Sequence, residues 1–345
     1  MKYSFRNDYS EGAHPAVMKA LETTNALQTV GYGMDIYCEE ARNLIREKCA
    51  LPQADIHFLV GGTQANLVAC AAFLRPIEAV IAPDTGHPLV HETGAFQATG
   101  HMVIPVPSNN GKLTPQQLCA VCRAHSTEHM VQPRMVYISN ATEVGTVYTK
   151  EELSLLHNAC KDLGLYIYLD GARLGCAMVS QDAPLAWSDL AECLDAFTIG
   201  GTKNGLLFGE ALVVVNDALK RDFRSHMKQR GAILAKGRLL GLQFKAILED
   251  DLYLKNARHA NAMAQQLQEG ISQLGYSFLV NSPTNQIFPI FPNPLLEKLS
   301  SLYEYETQQT MDETTTCIRL VTSWATPQEA VETFLADLQQ LGTLI

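Results

Sequence analysis

The chain has no apolar run near the ~20 residues that a membrane-spanning helix needs, and Met1-Lys2-Tyr3-Ser4-Phe5-Arg6-Asn7-Asp8 holds no signal-peptide core. Both absences predict a cytoplasmic protein without a membrane partner. Lys and Arg form no cluster: the formal charge of -10 is spread along 345 residues, which argues against a nucleic-acid or anionic-membrane partner. A disulfide framework is lacking as well, because the nine cysteines are odd in number and scattered, as reduced thiols are. Cys119, Cys122, His125 and His129 lack the zinc-finger spacing, which sets about a dozen residues between the Cys and His pairs. They follow one face of a helix starting after Thr114-Pro115, and no metal site is expected.

What is present is a 47% hydrophobic chain long enough for two domains. In Phe197-Thr198-Ile199-Gly200-Gly201-Thr202-Lys203-Asn204-Gly205, one lysine leaves an apolar run among small, turn-forming residues. Desolvation there would lower its ammonium pKa and free the amine to condense with a carbonyl. An ordinary exposed strand end is the plainer alternative. A second stretch, Leu165-Tyr166-Ile167-Tyr168-Leu169-Asp170-Gly171-Ala172-Arg173, runs apolar into Asp170, as a parallel strand buried on both faces does. Residues at the carboxyl ends of such strands face the ligand crevice of open α/β sheets. Lysine and aspartate so placed suit pyridoxal phosphate: lysine forms the Schiff base and aspartate keeps the ring nitrogen protonated.

Other segments add candidates. Ile56 to Val60 reads as a strand, and Gly61-Gly62-Thr63-Gln64-Ala65-Asn66 leads into a helix, an arrangement that can cradle phosphate or simply turn the chain. It is neither a Walker loop nor a dinucleotide fingerprint. His87 follows the strand Ala79 to Ala82 and can stack on a planar cofactor or cap the next helix. Further strands are expected at Met102–Val106, Met135–Ser139 and Glu210–Val215. The basic stretch Arg221 to Arg238 is either a solvated helix face or a phosphate or subunit contact. From about Asp250 the pattern changes to a long helix, strands at Gly275–Val280, Gln286–Phe291 and Cys317–Thr322, and a last helix to Leu341. Arg319 interrupts the Cys317–Thr322 run, where it meets either an internal carboxylate or a substrate carboxylate.

As a set, Gly62-Thr63-Gln64-Ala65-Asn66-Leu67-Val68-Ala69, Asp170-Gly171-Ala172-Arg173, the strand leading to Lys203, and Ile318-Arg319-Leu320-Val321-Thr322 resemble the threonine aldolase family. These are the β-eliminating-lyase branch of the aspartate-aminotransferase-like pyridoxal phosphate enzymes. Arg6-Asn7-Asp8 and Tyr32-Gly33-Met34-Asp35 are weaker matches. The resemblance implies an α/β fold of type I: a large domain over residues 1–250 with a mostly parallel sheet and an N-terminal arm (about 1–20), and a smaller α+β domain over 251–345. It further implies Lys203 as the Schiff-base lysine, Asp170 as partner of the ring nitrogen and His87 stacked on the ring. Gly62, Thr63 and Thr202 would bind phosphate, and Arg173 and Arg319 the cofactor oxygen and substrate carboxylate. Asn7 and Tyr32 would lie toward substrate. Homotetramers of paired dimers are implied too, with Lys228 or Arg230 reaching another subunit's phosphate.

Two positions depart from the family: Asn7 stands where serine is usual, and Thr142-Glu143 where a second active-site histidine is usual. The expected reaction is reversible cleavage of a β-hydroxy-α-amino acid to glycine and an aldehyde, with His87 or Glu143 as base. Transamination or β-elimination on the same lysine and aspartate is the alternative within the cofactor class. A non-catalytic scaffold on the same fold is the alternative outside it.

Overall fold

The computed structural model describes residues 2–343. A short strand β1 (Tyr3–Ser4) precedes the strands of the main sheet: β2 (Asp55–Leu59), β3 (Glu78–Pro83), β4 (Val103–Val106), β5 (Gln132–Ser139), β6 (Tyr166–Asp170), β7 (Ala196–Gly200) and β8 (Glu210–Val214). Their spatial order is β2-β8-β7-β6-β5-β3-β4. Strands β7, β6, β5, β3 and β4 pair in parallel, whereas β8 is antiparallel to both neighbours.

The apolar runs read as two-sided strands are indeed covered on both faces. Val136, Ile138, Ile167, Leu169, Phe197 and Ile199 pack into one core with the helices Ile36–Lys48, Lys150–Leu163 and Arg238–Leu248. Their alternates Met135, Tyr137, Tyr168 and Ala196 pack into another with the helices Gly62–Phe73 and Phe223–Gln229. Burial of one such side chain contributes roughly 1.5–3 kcal/mol, and period-two alternation sends neighbours to opposite layers. The helix Lys150–Leu163 begins in a capping box between Thr149 and Glu152 and stops at Gly164, whose φ of 68° favours glycine.

The smaller C-terminal domain holds β9 (Gln286–Ile287), β10 (Ile290–Pro292), β11 (Tyr303–Glu304), β12 (Glu306–Thr310) and β13 (Thr315–Val321). Its sheet runs β10-β13-β12, with β9 also on β13, and is backed by the helices Leu252–Gln273 and Gln328–Gly342. Here the expectations need correction. The segment Gly275–Val280 forms no strand, only a Phe278–Pro289 bridge. The run Gln286–Phe291 is split at Phe288-Pro289, where proline has no N–H to give a ladder. Strand β12 was not expected because an exposed edge strand reading Glu-Thr-Gln-Gln-Thr carries no apolar alternation.

The N-terminal stretch crosses between the domains. Strand β1 pairs in parallel with β11, and Phe5 is buried against Phe334 and Tyr303. The chain then runs back so that Asp8 and Tyr9 reach the main sheet.

Candidate active site

The carboxyl ends of β5 and β6 and the turn after β7 open onto one cavity of about 360 Å³. Ser139 and Asp170 are register partners at the ends of β5 and β6. The chain turns sharply at Gly171, where an added Cβ would lie 1.9 Å from the Thr198 carbonyl, so only glycine lets this turn sit against β7. Lys203 follows in a single helical turn after β7. Asp170, Lys203, His87, Glu143, Arg173, Thr202, Gly62 and Thr63 all line this space, together with Tyr9, Ser139 and Glu210.

Asp170 is buried, with both carboxyl oxygens bonded and acceptor capacity left on Oδ1. Its Oδ2 accepts from Asn66 Nδ2 and Tyr137 OH, both at 2.8 Å, and its Oδ1 accepts from the Ala172 N–H at 2.9 Å. Burial alone would raise its pKa; His87 and these donors outweigh that and hold the carboxyl below its ordinary value. The Lys203 pKa is lowered too, which for an amine favours the neutral form: burial, then the neighbouring Arg173, outweighs the pull of Asp8, Asp170 and Glu210. The cavity thus contains an anion at one strand end and an amine biased toward its neutral form at the next.

A ring of hydrogen bonds surrounds His87. Its Nδ1 lies 3.0 Å from Glu92 Oε1, and the same oxygen accepts from Asn66 Nδ2 at 2.8 Å. Asn66 in turn accepts from Tyr168 OH at 2.8 Å. On the other side Glu143 Oε1 accepts from Ser139 Oγ at 2.6 Å and from the His87 backbone N–H at 3.1 Å. Burial first, then the Asp170 charge, raises the Glu143 pKa despite the Ser139 bond. Its other oxygen is buried without a partner, which leaves a site for a donor or acceptor on a bound molecule.

Residues Gly61 to Thr63 start the helix Gly62–Phe73, whose N-terminus no side chain caps. The first N–H groups of such a helix lack partners within it, and its dipole favours an anion there. A Cβ at Gly61 or Gly62 would meet nothing within 4 Å. That open space before uncapped N–H groups fits a phosphate.

Other expected residues fall outside this lining. Asn7 uses its side chain locally, accepting from the Tyr9 N–H at 2.9 Å and Ser10 Oγ at 3.0 Å, and so turns Tyr9 toward the cavity. Tyr32 and Lys228 meet each other elsewhere, with Lys228 Nζ 5.3 Å from the ring centre, and Arg230 is likewise not on the cavity wall. Arg319 is not in the lining either, but it lies within electrostatic reach of Arg173 and Asp8 and forms no ion pair among the described residues. Its buried Nε has no hydrogen-bond partner, and burial followed by repulsion from Arg173 lowers its pKa. Of the two readings of Arg319, the internal salt bridge is therefore not seen. Arg173, in contrast, is already bound by Asp8 through two hydrogen bonds.

Asp8, Asn66, Glu92, Tyr137, Ser139 and Glu210 were not anticipated from the sequence. A separate cavity of about 560 Å³ lies against the helix Leu252–Gln273, but it is faced by amides such as Asn261, Gln265 and Gln268 and contains no lysine. Among the described residues no three His, Cys, Asp or Glu side chains converge as metal ligands, and no helix is long and apolar enough to cross a membrane.

Comparison with known proteins follows the same lines. Residues 5–292 match the model of the beta-eliminating lyase family. The chain is 33% identical to the low specificity L-threonine aldolase of Pseudomonas aeruginosa, over 86% of each chain. The solved structure of Leishmania major threonine aldolase superposes with a TM-score of 0.97 at 45% identity, covering 98% of this chain and 99% of that one. A Thermus thermophilus aspartate aminotransferase, at 14% identity and a TM-score of 0.69 over 99% of this chain and 91% of that one, shares the fold.

Proposed function

The chain belongs to the beta-eliminating lyase family, and on that footing we propose that it is a pyridoxal phosphate-dependent aldolase. It cleaves a β-hydroxy-α-amino acid, L-threonine or L-allo-threonine in the first instance, reversibly to glycine and an aldehyde. The observation that carries this reading is the convergence of Lys203 and Asp170, from adjacent strand ends, on one cavity with an uncapped helix N-terminus.

When bound, pyridoxal phosphate supplies an aldehyde that condenses with amines and a ring that draws electrons out of the bond being broken. The chain's own residues prepare that chemistry. Lys203 offers an amine biased toward its neutral form, Gly62, Thr63 and Thr202 would offer donors to the phosphate, and Asp170, held toward its ionised state, would keep a proton at the ring nitrogen. Tyr137 and Asn66 keep Asp170 ionised and in place. Arg319, whose buried Nε has no partner in the fold, holds the substrate carboxylate at the edge of the cavity, and Arg173 supports it from its pair with Asp8. His87, oriented by Glu92, takes the proton of the substrate hydroxyl, and Glu143 beside it is the alternative acceptor.

Several finer points belong to the same reading. We place the domain division near residue 250, with residues up to about 20 as an arm of the large domain. The protein assembles as a homotetramer, a dimer of dimers; the exposed Leu27, Val30, Tyr32, Met34 and Ile36 support a second copy on that face. Asn7 and Tyr32 then serve substrate, and Lys228 or Arg230 the phosphate, across a subunit boundary. Nine free thiols support a cytoplasmic location.

The test is a product assay on L-threonine and L-allo-threonine with wild type and Lys203→Ala. Glycine and aldehyde in equal amounts, lost in the variant, are expected. A 2-oxo acid with ammonia, or with the amine form of the cofactor, would move the protein to elimination or transamination.

A further inference from the structure

Of the five carboxyls around Lys203 and His87, four have a fixed partner on at least one oxygen, Glu92 through His87 Nδ1 and Asn66 Nδ2. Asp8 is held by Arg173 and Asn285, Asp170 by Asn66, Tyr137 and the Ala172 N–H, and Glu143 by Ser139 and the His87 N–H. Glu210 is 3% exposed, yet its Oε2 has no hydrogen-bond partner. Topology puts it there. Because β8 is antiparallel to β7, Glu210 opens β8 directly opposite Gly200, the last residue of β7. The turn that carries Lys203 is clasped to this pair: Gly201 N–H and Thr202 N–H donate to the Gly209 carbonyl at 3.0 and 3.2 Å, and Gly209 N–H donates to Thr202 Oγ1 at 3.0 Å. Lys203 and Glu210 thus sit on one rigid hairpin and face one cavity. An unpartnered buried carboxyl destabilises a fold, so a residue kept for packing alone would be apolar.

We propose that Glu210 is the proton partner of Lys203: the two side chains, which form neither a hydrogen bond nor an ion pair with each other here, hold one proton between them and exchange it across the cavity they both line. With the proton on Glu210, the amine is free to capture a carbonyl. Once Lys203 is released, the Glu210 O–H bond breaks and an N–H bond forms on Nζ, leaving a carboxylate beside an ammonium. The pair has zero net charge before and after, which avoids burying an isolated charge. Burial, then repulsion from Asp170, pushes the Glu210 pKa well above the carboxylate range, while burial, then Arg173, lowers that of Lys203. Asp8 and Asp170 pull Lys203 back toward its charged form. The phenols of Tyr168 and Tyr253, which also feel Glu210, are raised well above their ordinary value by burial and stay neutral. His87 and Glu143 line the same cavity, and His91 is within electrostatic reach of Lys203.

The proposal rests on Lys203 being the group that captures pyridoxal phosphate. Its test uses cofactor-free protein mixed with pyridoxal phosphate, following the rate at which the visible absorption band of the bound cofactor grows from about pH 6 to about pH 9. A shared proton makes the wild-type rate nearly flat, because the pair's proton count does not change. In Glu210→Gln the amine must lose its proton to water, so the rate falls about tenfold per pH unit below the amine's own pKa. Glu210→Asp, which keeps a carboxyl, retains the flat profile. A Gln profile superimposable on wild type overturns the proposal, as does an Asp profile that follows Gln. Should Glu210→Gln fail to fold, the wild-type profile decides, since a tenfold fall per unit is incompatible with a shared proton. A wild type that captures no pyridoxal phosphate at any pH overturns the reading of the site, and this one with it.

Discussion

Arg173 grips Asp8 across 165 residues of sequence, Nε to Oδ2 at 2.7 Å and Nη2 to Oδ1 at 3.0 Å. Asp8 is 1% exposed, and although burial opposes it, Arg173 and Lys203 hold its pKa below the ordinary value. A carboxyl with a depressed folded pKa contributes stability that is complete above its unfolded pKa and is lost as pH falls through the folded one. Acidification below about pH 4 is therefore expected to lower the wild-type thermal midpoint. Asp8→Asn leaves the Arg173 charge unpaired and should cost about 3 kcal/mol at neutral pH. Its acid dependence should be shallower, and denaturant melts across pH check both parts.

Glu92 fixes the ring of His87 through Nδ1 and leaves Nε2 for the substrate. Glu92→Gln keeps the shape but lets the ring settle in a different tautomer. Turnover of L-threonine is expected to fall by about tenfold or more, with cofactor affinity nearly unchanged. Steady-state rates beside a titration with pyridoxal phosphate separate the two.

Gly62 tests the phosphate cradle. Since a Cβ there meets nothing in the cofactor-free fold, Gly62→Ala should leave the melting point unchanged or slightly higher. The methyl would stand where the phosphate approaches, and the dissociation constant for pyridoxal phosphate should rise about tenfold or more, roughly 1.4 kcal/mol. A variant of unchanged affinity would remove Gly62 from the cradle.

Arg319 is predicted to recognise the substrate carboxylate with its unpartnered Nε. Arg319→Lys keeps the charge but not the two-point geometry. The expected result is a KM for L-threonine raised by about tenfold or more, with the cofactor's visible band intact. An unchanged KM would return Arg319 to a structural role.

The parts of the site that could be read from the sequence are those announced by a local break in pattern. Asp170 and Lys203 each end an apolar run, so their placement follows from the parallel pairing of β6 and β7, and Gly62-Thr63 stands out between a strand and a helix. Arg319 was legible as a charge inside an apolar strand. Glu92, Asn66 and Tyr137 were not, because nothing in their own neighbourhoods shows that three segments will meet around Asp170. Asp8 was hidden for the same reason, its partner lying in another element entirely. Tyr32 and Lys228 show the converse: their residue types suited a site, but the fold of a single chain sets them against each other and away from the cavity.

The reversal of β8 against β7 has a consequence for how this chemistry can be inherited. Residues from Gly200 to Glu210 form one contiguous segment that encodes the amine, its proposed acid and the clasp between them. A single short exchange of genetic material could carry this segment between related scaffolds as a working cassette, or retune it without touching the rest of the sheet.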